Sequence, residues 1–171
     1  MQAEQEVNLE RDYLEAMSRV ATGVSVVTTD GVAGRRELTI SAVASVALEA
    51  EGPMLLVCVN DRNGAAGAIV ANGCFCVNVL GEDQSPIAQR FAGAVSPEQR
   101  FEGLDLSTAP TGSPRLCDAY TSFDCKVAGD VAVGTHRVLY GRVVDVVSGS
   151  GGGPLVYSQR RFCAAVPRSA A

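Results

Sequence analysis

Short valine-rich runs separated by glycines are the feature that most limits how this chain can fold. Runs such as VSVVTT (24–29), PMLLVCV (53–59) and CFCVNVL (74–80) are rich in the residue types that favour β-strands. The chain contains 18 glycines, which permit tight corners between such runs. The pattern therefore predicts a fold dominated by β-strands, most of them joined as hairpins.

The order of the expected elements suits an antiparallel β-barrel with helical excursions, and it does not suit alternating βαβ units. Six or seven strands and three short helices are expected. The first candidate helix covers 8–22, with Asn8 as its cap and Gly23 after it; a second lies within 60–73, and a third begins with Ser85 as cap and Pro86 first and ends at Gly93. Candidate strands lie at 24–29, 38–48 (bent or broken), 53–59 and 74–80, followed by long strands at 119–131 and 134–147 and one or two short strands within 154–166. Residues 94–118 are expected to be a partly ordered excursion.

Length and charge exclude several classes of protein. The 171 residues predict a single domain, 1–171, with a core at about 10–165. A formal net charge of −5 argues against a nucleic-acid-binding surface, which would need a basic patch. The sequence has no apolar window long enough for a membrane span and no apolar signal segment near its start. We therefore expect a cytoplasmic protein that binds neither nucleic acid nor membrane.

The familiar catalytic motifs are missing from the sequence. It contains no glycine-rich dinucleotide or phosphate loop, no GxSxG elbow and no pair of carboxylates marked out for acid–base work. Six cysteines occur without a CxxC pair, and there is one histidine, so no metal site is expected. Buried thiols that pack as small apolar side chains are the expected role of the cysteines.

Two stretches remain as candidates for chemistry, each with two interpretations. His136 lies in GTHRVLYG, where it is either a strand histidine with structural partners or a neighbour of a redox-active ligand. LTISAVASVAL sets hydroxyl residues among alanines. That stretch is either a strand with a half-solvated face or a wall that a flat ligand such as a flavin ring can approach closely.

Seven segments in order resemble the short-chain flavin reductase family, which comprises reductase components of two-component flavin monooxygenases. The segments are ATGVSVVTT, LTISAVASVAL, PMLLVCVN, GCFCVNVL, QRFAG, GTHRVLYGRV and PLVYSQRRF. The resemblance implies a mainly β, antiparallel split β-barrel with a few short helices. It implies an NAD(P)H-dependent flavin reductase, with FMN or FAD as flavin and NADH or NADPH as hydride donor. Reduced flavin would then pass by diffusion to a partner flavin-dependent monooxygenase.

The same resemblance assigns the candidate site residues. It makes His136 the catalytic residue, near the flavin ring and the nicotinamide. The flavin-binding residues that it implies are Thr39, Ile40, Ser41 and Ala42 along the ring, Ser45, Val46 and Ala47 on the next segment, Asn60, Arg62, Asn63, Gly64 and Ala65 at the phosphate turn, Phe91, His136, and Tyr157 with Arg161 in the terminal motif.

The chain departs from the family pattern in three places. RRELT puts Arg35, Arg36 and Glu37 where a histidine, a glycine and an apolar residue are usual. Ala44 and Ala47 replace common hydroxyl residues, and NGAAG has no serine or threonine at the phosphate turn. Either flavin binding is weak, as suits an enzyme that releases its flavin, or the usual activity is lost.

Two alternatives and one assembly state complete the expectations. The alternatives are a split-barrel flavoprotein that retains its cofactor as an oxidoreductase, and a non-catalytic flavin-binding protein. A homodimer is expected, because the apolar strands PMLLVCV and CFCVNVL offer more apolar surface than one small barrel covers easily.

Overall fold

The computed structural model describes residues 2–96 and 99–166, and of residues 2–7 and Asn63 it describes the backbone only. Twelve strands and three α-helices lie within this part of the chain. The helices are α1 (Gln2–Ser18), α2 (Ala65–Asn72) and α3 (Ser85–Gln89), and the strands are β1 (Thr22–Gly23), β2 (Ser25–Thr29), β3 (Arg36–Ile40), β4 (Val43–Glu49), β5 (Gly52–Asn60), β6 (Cys74–Val79), β7 (Leu106–Thr108), β8 (Pro114–Leu116), β9 (Thr121–Val133), β10 (His136–Ser148), β11 (Leu155–Ser158) and β12 (Arg161–Ala164).

The principal sheet has seven antiparallel strands in the order β3-β2-β6-β9-β10-β5-β4. Its two edge strands, β3 and β4, follow each other in the chain and are separated only by Ser41 and Ala42. A flat sheet of this width would hold its edges about 29 Å apart, whereas three Cα steps reach about 11 Å. The sheet must therefore curl, and it does so as a barrel that is split between β3 and β4. The predicted antiparallel split β-barrel is confirmed.

The barrel interior is filled by alternate side chains of its strands. Val57, Val59, Phe75, Val77 and Leu139 are all fully buried there. Helix α2 packs against this core through its own alanines and isoleucine. The interior is therefore a packed core, and a ligand has to bind outside it.

A second layer covers the outer face of β2, β3 and β6. Residues 81–96 and 99–119 form it, and Phe91 and Leu116 pack there on Val26 and Leu80. Asn78 joins the layers, because its side chain donates to the Val26 carbonyl at 3.2 Å and accepts from the Leu116 amide at 3.0 Å. The segment 94–118, expected to be a partly ordered excursion, has the paired strands β7 and β8 among its described residues. Buried polar side chains of Thr28 and Asn78 tie β8 to the barrel.

Two predicted helix boundaries were wrong. Helix α1 spans Gln2–Ser18 rather than 8–22, so Asn8 is not its cap. It ends early because Thr22 and Gly23 form backbone pairs with β11, and a helix cannot satisfy those bonds. The cap of α3 is Gln84, with Ser85 and Pro86 as the first two helical residues.

None of the helices in the described residues combines the length and the apolar character needed to cross a bilayer.

We predict that Gly141→Ala destabilises the barrel. A β-carbon at Gly141 on β10 would lie 2.9 Å from the β-carbon of Cys125 and closer still to the ring of Phe75. Overpacking of this kind costs about 1–3 kcal/mol. Thermal unfolding should show a melting temperature several degrees lower, at about 2–4 °C per kcal/mol.

Gly129→Ala is the matched control, because it lies on the neighbouring strand β9 and its added β-carbon would meet nothing within 4 Å. The Gly129 variant should melt at or slightly above the wild-type temperature. Equal melting of the two variants would contradict the close contact at Gly141.

Candidate functional site

The split between β3 and β4 brings together several of the predicted site residues. The amide of Cys58 donates to the carbonyl of Ala42 at 3.1 Å, so the seam lies against β5. Two residues further along β5, Asn60 is the cross-strand partner of His136. The amide of Asp61 donates to the Thr135 carbonyl at 3.0 Å. The seam, the turn after β5 and the start of β10 therefore form one continuous region.

The predicted ring-lining segment 39–42 divides into two parts. Ile40 is buried in the barrel core, and the hydroxyl of Thr39 donates to the Ala88 carbonyl at 2.7 Å. Their side chains are thus already engaged by the fold. Ser41 and Ala42 are exposed at the seam, and their assignment as flavin contacts stays a prediction.

Strand β4 offers backbone groups rather than side chains. It is an edge strand that pairs only with β5 among the described strands, so its outward amides and carbonyls are open. A register shift between Ser45 and Ala47 bulges the strand at Val46. Ser45 lies opposite Leu55 and lines an apolar cavity of about 190 Å³ at the barrel end. A flat heterocycle with a polar amide edge can hydrogen-bond to such a strand edge.

The turn after β5 is arranged to receive an anion. The side chain of Asn60 accepts from the Arg62 amide at 2.9 Å and so shapes the turn. Gly64 adopts φ 66°, which favours glycine, and it precedes α2 without any side-chain cap. No side chain among the described residues caps the first amides of α2, from Ala65 onward, and the helix dipole favours a negative charge there. Arg62 is exposed beside them.

Asn63 was also predicted to belong to this turn. Its backbone closes the short 3₁₀ turn Asp61–Asn63, and its side chain lies outside the described residues.

His136 is the first residue of β10 and is exposed. Leu139 on the same strand points into the core, so His136, Val138 and Tyr140 share the opposite, outer face. The Thr135 hydroxyl lies 3.0 Å from Nδ1 of His136. With Nδ1 engaged, Nε2 is the ring nitrogen available to a ligand. The location agrees with the predicted role, and the role itself stays a prediction.

The three remaining predicted residues lie apart from the turn and from His136. Phe91 is 2% exposed and packs edge-on against Phe101 with ring centroids 5.1 Å apart, so its ring is a core group. Tyr157 and Arg161 belong to the small sheet β1-β11-β12. No hydrogen bond or ion pair among the described residues joins them to His136.

The cysteines carry no chemistry in this region. All six are free thiols, and burial raises the pKa of Cys76 to about 12 and raises that of Cys125 as well. Such thiols stay protonated and unreactive. In the part of the chain that is described, no group of three or more histidine, cysteine or acidic side chains is placed to hold a metal ion.

Ion pairs beside the seam were not predicted from the sequence. Arg100 donates to Glu37 of β3 at 3.0 Å, and Arg137 pairs with Asp130 and lies 3.9 Å from Asp61. The unusual RRELT stretch was the one signal in the sequence for the Glu37–Arg100 pair, but Arg100 lies 63 residues after Glu37 in the chain.

Known proteins resemble this chain over the whole barrel. The profile described as flavin reductase like domain matches residues 17–165, which include all twelve strands. An FMN reductase (NADH) RutF of Methylorubrum extorquens is 44% identical over 150 residues, covering 88% of this chain and 72% of the relative.

Solved structures give the same result. A nitrilotriacetate monooxygenase component B homolog from Mycobacterium thermoresistibile has a TM-score of 0.86 at 26% identity and covers 97% of this chain and 93% of its own. BorF, the flavin reductase component of a bacterial two-component tryptophan halogenase, has a TM-score of 0.81 at 29% identity. That match covers 93% of this chain and 99% of BorF.

Proposed function

Because the chain belongs to the flavin reductase like domain family, we propose that it is an NADH-dependent reductase of FMN that releases the reduced flavin. The name of the RutF relative supports FMN and NADH as its substrates. The observation that carries the proposal is the open edge of β4 beside the bare N-terminus of α2. The first offers amides to a flat ring, and the second offers a cradle to its phosphate.

The residues of this region fit the chemistry of a flavin reductase. When both nucleotides are bound, a hydride passes from C4 of the nicotinamide to N5 of the flavin. The task of the chain is to hold the two rings at about 3–3.5 Å, and this needs no general base. Exposed His136 lies at the start of β10 beside Asn60, where Nε2 can bind the nicotinamide amide or orient the ring.

Flavin is held here mainly by backbone groups. Ala44 and Ala47 supply no hydroxyl on β4, and Ala65 supplies none at the start of α2. Each missing hydrogen bond weakens binding by about 0.5–1.5 kcal/mol. Weak binding is what an enzyme needs if reduced flavin is its product. We propose that this product diffuses to a partner flavin-dependent monooxygenase, as the two-component titles of the structural relatives suggest.

As expected from the sequence, we propose that the chain is a single domain with its core at about 10–165 and that it works in the cytoplasm.

The first test is NADH oxidation, followed at the nicotinamide absorbance band, with FMN or riboflavin as acceptor. Arg62→Ala should raise the KM for FMN about tenfold, because a charged group at the phosphate is lost. The KM for riboflavin should not change, because riboflavin has no phosphate. Arg11→Ala is the control, since Arg11 is an exposed arginine on α1.

Two results would contradict parts of this proposal. Absence of NADH oxidation with FMN, FAD and riboflavin would favour the non-catalytic flavin-binding alternative. If Arg62→Ala changes the KM for FMN and the KM for riboflavin equally, the proposed phosphate site at the start of α2 is contradicted.

His136→Ala tests the catalytic assignment. The variant should keep its fold and most of its flavin affinity, because the imidazole is exposed and, within the described part of the chain, hydrogen-bonds only to Thr135. Reduction of the flavin in a stopped-flow experiment should slow about tenfold, which equals about 1.4 kcal/mol of barrier, or the KM for NADH should rise similarly. Thr135→Val, which removes the partner of Nδ1, should give a smaller effect in the same direction. Unchanged reduction with unchanged NADH dependence would leave His136 with structural partners only.

A homodimer is proposed on grounds that the sequence suggested only in part. CFCVNVL is covered within the barrel and its second layer, whereas PMLLVCV leaves Pro53 exposed and Met54, Leu56 and Cys58 half-buried. A single copy also leaves apolar side chains uncovered on β4 (Val46, Leu48) and on the long strands (Val131, Val133, Val144). Because β4 also forms the proposed flavin wall, a second copy on this surface would complete the site.

Light scattering at micromolar concentration should give about twice the chain mass of 17.7 kDa. Leu48→Lys should shift the protein toward monomer, because Leu48 is 84% exposed on β4 in one copy. Val32→Lys is the control, since Val32 is 93% exposed in the turn between β2 and β3. A wild-type monomer would contradict the dimer, and an unaffected Leu48 variant would contradict this surface.

A further inference from the structure

The outer face of β3 is tied to the second layer by two hydrogen bonds. Glu37 accepts from Arg100 at 3.0 Å, and the hydroxyl of Thr39 donates to the Ala88 carbonyl at 2.7 Å. Side chains two residues apart on a strand share a face, so Glu37 and Thr39 lie on the same face of β3. The strand ends at Ile40 and the next residue is Ser41, an exposed residue of the proposed flavin wall, so the Thr39 tether lies two residues before that wall.

The segment that holds Arg100, residues 99–104, is fixed by aromatic contacts as well. Phe101 packs edge-on against Phe91, with centroids 5.1 Å apart. The guanidinium of Arg35 lies 5.3 Å from the centroid of the Phe101 ring. Arg90 donates to the carbonyl of Glu102 at 2.7 Å. The RRELT stretch, which departs from the family pattern, thus supplies two of the contacts that hold this segment on β3.

The Glu37–Arg100 ion pair contributes little to the stability of the fold. The side chains of Glu37 and Arg100 are only 8% and 19% exposed, and Nε of Arg100 is buried without a hydrogen-bond partner among the described residues. Burial raises the pKa of Glu37 even though Arg100, Arg36 and Arg35 act to lower it. A raised carboxyl pKa means that the ionised form, present at neutral pH, opposes folding relative to the neutral form. Replacing both charges of such a pair by neutral groups often leaves stability unchanged or raises it, whereas removing one charge strands the other and destabilises the fold.

We propose that Glu37 is a positioning residue: by holding Arg100 and residues 99–104 on the outer face of β3, it fixes the border of the flavin site beside Ser41. The inference rests on the proposed function, since it assigns a role toward the flavin substrate. Glu37 acts through Arg100 and does not contact the flavin itself. Loosening the segment lowers the affinity for FMN and leaves the hydride step unchanged once FMN is bound.

The test compares Glu37→Gln, Arg100→Gln and the double variant with the wild type. FMN binding is titrated without NADH by quenching of flavin fluorescence, and melting temperature, KM and kcat are measured alongside. Glu37→Gln should melt below the wild-type temperature because Arg100 is left uncompensated, raise the Kd and KM for FMN about fivefold, and keep kcat at saturating FMN. The double variant should bind FMN no worse than Glu37→Gln alone, because both changes break one contact.

Asp145→Asn is the matched control. Asp145 pairs with the largely buried Arg115, which ties the second layer to β10 instead of β3. Losing that charge leaves Arg115 uncompensated, so this variant should melt lower and keep the wild-type KM for FMN.

The outcomes separate the inference from the proposed function. If the folded Glu37→Gln variant binds FMN with wild-type affinity, whatever its melting temperature, the positioning role is overturned. Glu37 is then only a structural tether. A wild type that binds FMN without oxidising NADH overturns the reductase function, while the binding titration still decides the role of Glu37. A wild type that does not bind FMN at all overturns both.

Discussion

The structure depends on one short connection. Because only Ser41 and Ala42 separate the two edge strands β3 and β4, the seven-stranded sheet has to curl until its edges nearly meet. The interior is then filled by valine, leucine and phenylalanine side chains, which leaves no space for a nucleotide. The edge of β4 beside the connection has no partner among the described strands, so its amides and carbonyls form a polar surface outside the core. We therefore propose that a flat substrate is bound at the split of the barrel rather than inside it.

The proposed site is built from backbone more than from side chains. The edge of β4 offers amides and carbonyls, and the start of α2 offers free amides beside Arg62. A site of this kind tolerates alanine at many positions, because the hydrogen-bonding groups belong to every residue type. It also explains how NGAAG can serve where hydroxyl residues are usual, with Gly64 providing the left-handed conformation that starts the helix.

Much of the fold was predictable from local pattern, and the failures were non-local. The valine-rich runs gave the strands of the barrel because alternation and composition act within one strand. The end of α1 was missed because Thr22 pairs with Tyr157, and the strands β7 and β8 were missed because Asn78 of a distant strand bonds Leu116. At the site, the family resemblance indicated the residues of the seam and of the turn before α2, and their flavin contacts stay a prediction. Local patterns could not show that the core uses the ring of Phe91, since burial depends on packing between distant segments.

The central position of β9 and β10 has a consequence for synthesis on the ribosome. These two strands lie between β6 and β5 in the sheet, yet they are the last long strands to be translated. Until residue 148 has emerged, β2, β3 and β6 can pair with one another and β4 can pair with β5, but the two groups are not joined, and each has an apolar face without its packing partner. The hairpin of β9 and β10 then bridges the two groups. The barrel core therefore closes only after the last residues of β10 have been synthesised.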